Sequence, residues 1–560
     1  MVFSLLDAIY WLFSFTNSRP LHFYRARNRV PHQTMNPTGA PAALLAQKPL
    51  DETLTELKQA IWQRRPVLGD IMQKHGQKNL FEYSKDFFDV NPLPSRIETR
   101  REELISIVEE QARCRLGADT AHAIAKQLRS LPLISTADHH AIIDNPYWVN
   151  ANLITALPCL GCVADHMPYL VVFSFASVSL NNPSGFPRGI EFHGGLHGDG
   201  PTIRLPLFPD KMKMGTVHGT RAYGREDIEQ AKKYINNRMQ AGDICKEKGA
   251  LVHTLIDQKL AAPDILALPN LSEQISALNY RLWPSLFHAK GCSTPTKDVP
   301  DLAYLDIETI VTQALLRHHL HQPESLIYKA LFDAKFVASI CENFDGIPGA
   351  FCLADNSGTH FFWAVDEKLH RVRLQYENGF LRSHDGSLSI EATPRGIEDA
   401  LQAKRIFPST ALCYLVVAMH YGMKCLGGFS QVHDLTVLKE AWCKVLNECG
   451  EHEEAQGLER LQTKEMNAGG MILTFFRSLQ DRLVIPTGID MLLEKDQDTS
   501  PQTYIKISQD ILLDESMLPM VPSAYSVFYP SHERTIDTSA LTFQEIAEYI
   551  GLNNKLLYNL

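Results

Sequence analysis

The residues best suited to chemistry fall mostly between positions 138 and 225. Asp138-His139-His140 follows the apolar run Leu131 to Ile134, so a carboxylate and two imidazoles stand at the mouth of an expected buried strand. Such groups ligate zinc, manganese and iron, and they also carry protons near neutral pH. The densest stretch is GIEFHGGLHGDGPTIRLPLFPDK, residues 189–211, with Glu191, His193, His197 and Asp199 close together. On a strand Glu191 and His193 share a face, because side chains alternate. The surrounding glycines let the loop fold His197 and Asp199 back toward the same point. His193, His197 and Asp199 are therefore the candidate ligands for a divalent metal (zinc, manganese or iron). Asp138, His139, His193 and His197 are the candidate catalytic acids and bases.

Substrate contacts have their own candidates. Arg204, Lys211 and Arg221 belong to a basic run that also holds Lys213, His218 and Arg225, and Arg clamps phosphate or carboxylate in bidentate fashion. Asn181 and Asn182, in SLNNPSGFPRG, read as a turn whose amides can orient a polar ligand. Cys159 and Cys162 form one C-x-x-C pair without a second, so buried structural thiols are expected rather than a structural zinc. Cys352 and His360 sit on expected facing strands, a spacing that admits nucleophilic chemistry, but no G-x-S-x-G elbow supports a serine triad. GGFSQVHDL (427–435) is a glycine-rich turn before a helix whose N-terminus can accept an anion, without the Lys-Ser/Thr of a P-loop. His318, His319 and His321 read as structural groups at a helix end.

Two partial resemblances follow from these motifs. Asp138-His139-His140 after an apolar strand resembles the signature of the DHH phosphoesterase family, over those three residues only. That family's upstream aspartate motifs have no counterpart here, since residues 51–130 read as helical. His197-x-Asp199 resembles part of the facial triad of iron oxygenases, whose distal histidine has no counterpart that the sequence locates.

The elements that must position these groups alternate along the chain. A Pro- and Ala-rich arm (35–50) precedes helical patterning that runs to Leu131, with Asp51 and Ser95 as expected helix starts. Short apolar runs between 131 and 217 read as strands: YLVVFSFASVSL, GIEFH and TIRLPLF. Residues 225–341 read as helical. A second β-rich patch, 346–390, is an expected antiparallel meander with tight turns at Asn378-Gly379 and Asp385-Gly386. Thr393-Pro394 opens a helix. STALCYLVVAMHYGMKCLGG (409–428) reads as one buried helix stopped by its two glycines. The expected class is mixed α+β, with β-rich centres at about 131–217 and 346–391 in a helical frame. The expected division is an arm (1–50), a catalytic unit (51–345) and a meander-plus-helix unit (346–560).

Composition narrows the function. A chain of 560 residues, 45% hydrophobic and 21% charged, can bury a sizeable core. With 64 acidic against 54 basic residues the net charge is −10, which argues against nucleic acid as a partner. Eleven unpatterned cysteines fit a reducing, cytoplasmic setting. Val2 to Phe15 is apolar but interrupted by Asp7 and shorter than the roughly 20 residues a membrane span needs, so stable membrane insertion is not expected. Met35 offers an alternative start. The leading expectation is an enzyme of hydrolase or transferase type, with or without a metal, acting on a small anionic or phosphorylated metabolite. The alternatives are a nucleotide-using ligase or transferase and a non-enzymatic binding or effector protein. Oligomeric state is left open.

Overall fold

The computed structural model describes residues 49–143, 145–160, 167–182, 184–289, 291, 298–469, 476–477, 483–495, 498–539, 541–552 and 555. The N-terminal arm up to residue 48 and Cys162 lie outside these residues.

Five parallel strands make the centre: β1 (Leu133–Ser135), β2 (Tyr169–Ser174), β5 (Asp301–Asp306), β13 (Lys424–Gly428) and β14 (Met466–Ala468). Their order across the sheet is β14-β13-β1-β2-β5. Alternate residues of each strand enter two different apolar clusters. Leu133, Leu170, Val172, Leu302, Tyr304 and Leu426 face one side. Ile134, Val171, Phe173, Ala303, Leu305 and Cys425 face the other. Both faces are covered by helices, which is why these strands read as continuous apolar runs and not as alternating ones. The sheet takes strands from both sides of residue 345.

Between β2 and β5 lies the hairpin of β3 (Gly189–His193) and β4 (Thr202–Pro206), in the register His193 opposite Thr202. Gly194 follows β3 where any side chain would strike the Asp243 carbonyl oxygen, 1.9 Å from the place a Cβ would take. The second β-rich centre holds a short pair, β6 (Phe351–Cys352) with β7 (Ser357–Gly358). It continues as an antiparallel sheet of β8 (Phe362–Val365), β9 (Arg371–Glu377), β10 (Phe380–Ser383), β11 (Ser389–Glu391) and β12 (Ile406–Pro408), ordered β11-β10-β9-β8-β12. The β9–β10 turn is Asn378-Gly379 with φ of 49° and 81°, the doubly positive conformation that suits a two-residue hairpin. At 54% helix and 15% strand among the described residues, the class is mixed α+β with two β-rich centres, as expected.

Three local readings change. The stretch read as one buried helix over 409–428 is helical only to His420; Gly422 turns left-handed at φ 67°, and residues 424–428 become β13, beside β1 in the central sheet. β5 lies inside a region read as helical. Both strands are too short and too evenly buried for periodicity to separate them from buried helix. The first described helix starts at Leu50, with Asp51 inside its first turn, and Ser95 is the first residue of the Ser95–Leu116 helix without a side-chain cap. Thr393 does cap its helix, accepting the Gly396 amide at 3.1 Å. Among the described residues no helix is long and apolar enough to cross a membrane.

Candidate active site

The chain leaves β1 toward β2 and β5, and later returns to the other flank of β1 with β13 and β14. The two crossovers therefore run in opposite directions and lay their helices on opposite faces. Val149, Leu153 and Ile154 of the Pro146–Ala156 helix join one apolar cluster, and Leu435, Leu438 and Trp442 of the Gln431–Cys449 helix join the other. In open parallel sheets such a reversal point, at the carboxyl ends of the two strands, is where ligands commonly bind; here it falls at β1 and β13, and the residues just past β1 are buried.

Asp138-His139-His140 is what β1 delivers there. The segment prolongs the β1–β2 pairing: the Phe175 amide donates to the Asp138 carbonyl, and the His140 amide to the Phe175 carbonyl, both at 2.9 Å. Asp138 is 1% exposed. Its Oδ2 accepts from Asn152 Nδ2 at 2.9 Å, while Oδ1 is buried without a hydrogen-bond partner. Burial pushes its carboxyl up to about 7, against the opposing pull of Asn152 and of the nearby Tyr304 hydroxyl, which donates to the His139 carbonyl at 2.8 Å. Asn152 belongs to the Pro146–Ala156 helix, one turn before Thr155. Thr155 Oγ1 in turn takes a hydrogen bond from Asn467 Nδ2 on β14 at 3.0 Å, and Ser135 Oγ takes another at 2.9 Å. Ala137, Ala151 and Ala468, each next in the chain to one of these polar residues, pack with one another and with Trp148.

His139 and His140 divide into two roles. His140 is enclosed: Ser174 Oγ donates to its Nδ1 at 2.6 Å, and its Nε2 donates to the Ser272 carbonyl at 3.0 Å. Both ring nitrogens are occupied, so His140 ties strand ends together. His139 points toward the 181–184 turn, with Nδ1 at 3.3 Å from Asn182 Oδ1 and its ring centre 5.2 Å from that of Trp148. Asn182 Oδ1 also accepts the Ser184 amide at 2.8 Å, which makes it the acceptor and places the His139 proton on Nδ1. Burial pulls both imidazoles down to about 4, so they are neutral at pH 7. Glu308, just past β5, accepts the amides of Ala176 and Ser177 at 2.8 and 2.9 Å, and burial raises its carboxyl to about 7.

The residues of the glycine-rich hairpin form a different network. His193 Nδ1 lies 2.6 Å from Asp490 Oδ2, and the His193 amide donates to Asp490 Oδ1 at 3.0 Å. Lys248, wholly buried, donates to Asp490 at 2.8 Å and to Glu494. The His197 amide reaches Glu494 at 2.7 Å. Burial alone would lower the His193 and Lys248 values; attraction to Asp490 outweighs it and holds both raised. Asp490 is held well below the usual carboxylate range by His193 and Lys248, although its burial works the other way. The arrangement fastens the β3–β4 hairpin to the Gly488–Leu493 helix. Both oxygens of Asp199 are buried without a partner. Among the described residues no three His, Cys, Asp or Glu side chains come together as a metal donor set, so His193, His197 and Asp199 are not assembled into one.

The expected anion clamps are already engaged. Arg204 pairs with Glu191 across the hairpin, and Arg221 grips Asp227 in bidentate fashion at 2.7 and 2.8 Å. Lys211 and Asn181 are exposed. Cys159 is buried, and His360 is enclosed by the rings of Phe351, Phe361 and Tyr376. A cleft of about 320 Å³ opens at the opposite, amino-terminal end of β1, beside Pro132. Its arginines are committed: Arg129 to Glu102 at 2.9 Å and Arg101 to the Tyr421 carbonyl at 3.0 Å.

Of the sequence candidates, then, the fold places Asp138 and His139 at the carboxyl end of β1, with Asn182 against His139, and takes His193 and His197 into another network. Sequence reasoning missed Asn152, Asn467, Tyr304 and Glu308 in the first, and Lys248, Asp490 and Glu494 in the second. Asn150, Asn152 and Thr155 in an otherwise apolar helix are a legible signal; nothing around Asn467 or Lys248 is. Fold and site together define a mixed α+β protein with a cluster of buried polar side chains at the reversal point of a parallel sheet. Neither models of known protein families nor curated proteins match the chain.

Proposed function

We propose that this protein is an enzyme of hydrolase or transferase type, acting on a small polar metabolite with Asp138 as the group that carries the proton. One observation carries the reading. Asp138 is buried at the carboxyl end of β1, one oxygen is held by Asn152, the other is unpartnered, and the carboxyl titrates at about 7. A general acid or base works best when its pKa lies near the working pH. Asn152 orients the carboxyl, and Trp148 stands against the ring of neutral His139. The Gln431–Cys449 helix starts directly after β13, which pairs with β1, so its N-terminus favours an anionic group on the metabolite.

The test compares the protein with its Asp138→Asn variant on a small-molecule extract, following each metabolite by mass spectrometry. The expected result is consumption of at least one metabolite by the native protein, with a rate inflection near pH 7. The variant is expected to be slower by roughly 10²–10⁴-fold, the usual share of a general acid or base. Equal consumption by both proteins, or none by the native protein, overturns the reading.

A further inference from the structure

The cleft of about 320 Å³ at the amino-terminal end of β1 contains a cation that the protein itself does not neutralise. Glu98, Arg101 and Glu102 line it from one face of the Ser95–Leu116 helix, and Asn91, Arg129 and Ser130 line it from neighbouring segments. Arg101 is 7% exposed. The bond that holds it to the Tyr421 carbonyl uses Nε alone, and Nη2 donates to the Gly422 carbonyl at 3.2 Å. Nη1 has no acceptor among the described residues, and it is not sealed from solvent. Two carbonyls fix the guanidinium in place without balancing its charge. Among the described residues no carboxylate pairs with it: Glu102 is taken by Arg129 at 2.9 Å, and Glu98 Oε1 accepts the Leu93 amide at 3.3 Å. A largely buried cation is costly unless something pairs with it, so Nη1 calls for an anion, and the cleft is where one can reach it.

The other charges on the wall narrow the anion. Arg101 and Arg129 are matched by Glu98 and Glu102, so the lining carries no net charge. A ligand with several negative charges would meet both carboxylates, whereas one with an ammonium beside its carboxylate turns Glu98 into a partner. Glu98 stands one helical turn before Arg101, and its second oxygen makes no bond among the described residues. We propose that this cleft binds a small α-amino acid as its zwitterion, with the carboxylate on Arg101 Nη1 and the ammonium on Glu98. Its volume lies at the lower end of the about 300–1,000 Å³ of small-molecule pockets, which suits a ligand of that size. Asp138 lies past the other end of β1, and the proposal makes no use of it.

Calorimetric titration of the whole protein at pH 7.5 with the common L-α-amino acids, one at a time, tests it. For each one that binds, the matched probes are the same molecule without its amino group, the same molecule without its carboxylate, and inorganic phosphate. At least one amino acid is expected to bind, and roughly 10-fold or more tightly than any of its matched probes. Arg101→Gln should remove that binding. Arg101 also ties down residues 421 and 422, so two further variants serve if that protein fails to fold. Glu98→Gln should erase the preference for the amino acid over its des-amino counterpart, and Ser130→Trp should fill the cleft and block binding. Asp138→Asn should bind as the native protein does. The proposal is overturned if no amino acid binds, or if phosphate or the des-amino acid binds as tightly. It is equally overturned if Glu98→Gln and Ser130→Trp both leave binding unchanged, or if folded Asp138→Asn loses it.

Discussion

Asp138 has one oxygen held and one bare, and its carboxyl stands at about 7 against an ordinary 3.8. The folded state therefore holds this proton more tightly than the unfolded chain does. The stabilisation is complete below pH 3.8 and is lost as pH rises through about 7. An amide at this position does not titrate. Asp138→Asn should therefore melt higher than the native protein at pH 8.5, and the gap should close by pH 5, read from melting temperatures across pH. A variant that is less stable at both would show that the carboxylate is a structural anchor. Lys248 belongs at the same scale. It is wholly buried and lies between Asp490 and Glu494, so Lys248→Met removes the buried ammonium that the two carboxylates share. The expected loss is about 3–5 kcal/mol in denaturant unfolding. Asp138, His139 and Asn182 were legible in the sequence because they sit beside an apolar run or in a turn. The Lys248–Asp490 pair was not, because its partners are 242 residues apart and neither stands in a pattern of its own.

Among elements, the β3–β4 hairpin shows how a glycine-rich motif can serve anchorage. Its histidines are engaged by the Gly488–Leu493 helix, and Gly194 lets the 243–245 segment come up against it. The Gly194 carbonyl accepts the Cys245 amide at 2.9 Å. A Cβ at 194 would lie 1.9 Å from the Asp243 oxygen, so Gly194→Ala must push the segments apart. Faster limited proteolysis across residues 194–201 and 241–245 is the expected outcome, with cuts elsewhere unchanged. The meander and the hairpin were readable in advance because alternation and turn residues are local signals; Asn378-Gly379 formed the turn its composition demands. β5 and β13 were hidden for the opposite reason. Sheet strands buried on both faces lose the alternation that would reveal them, and each was absorbed into the neighbouring helical pattern.

At the scale of the whole molecule, the central sheet gathers strands from residue 133 to residue 468, and its two apolar clusters also draw on both halves of the chain. Calorimetry should show one cooperative unfolding transition. Separately expressed fragments 49–345 and 346–560 should fail to give native melting profiles, since each would expose an edge of the parallel sheet. Two independent transitions would refute this. The class was legible from texture along the sequence. The strand order, and with it the place where the sheet reverses, depends on pairings that no local pattern encodes.

That strand order also sets a timetable for synthesis. Leu133 pairs with Lys424, 291 positions later, so β1 emerges from the ribosome long before its β13 neighbour exists. At roughly 5–20 residues per second, the nascent chain waits about 15–60 s with that flank uncovered. During that interval the Asp138 strand end is an open, apolar edge, and holding chaperones that bind such edges would meet it before any small molecule does.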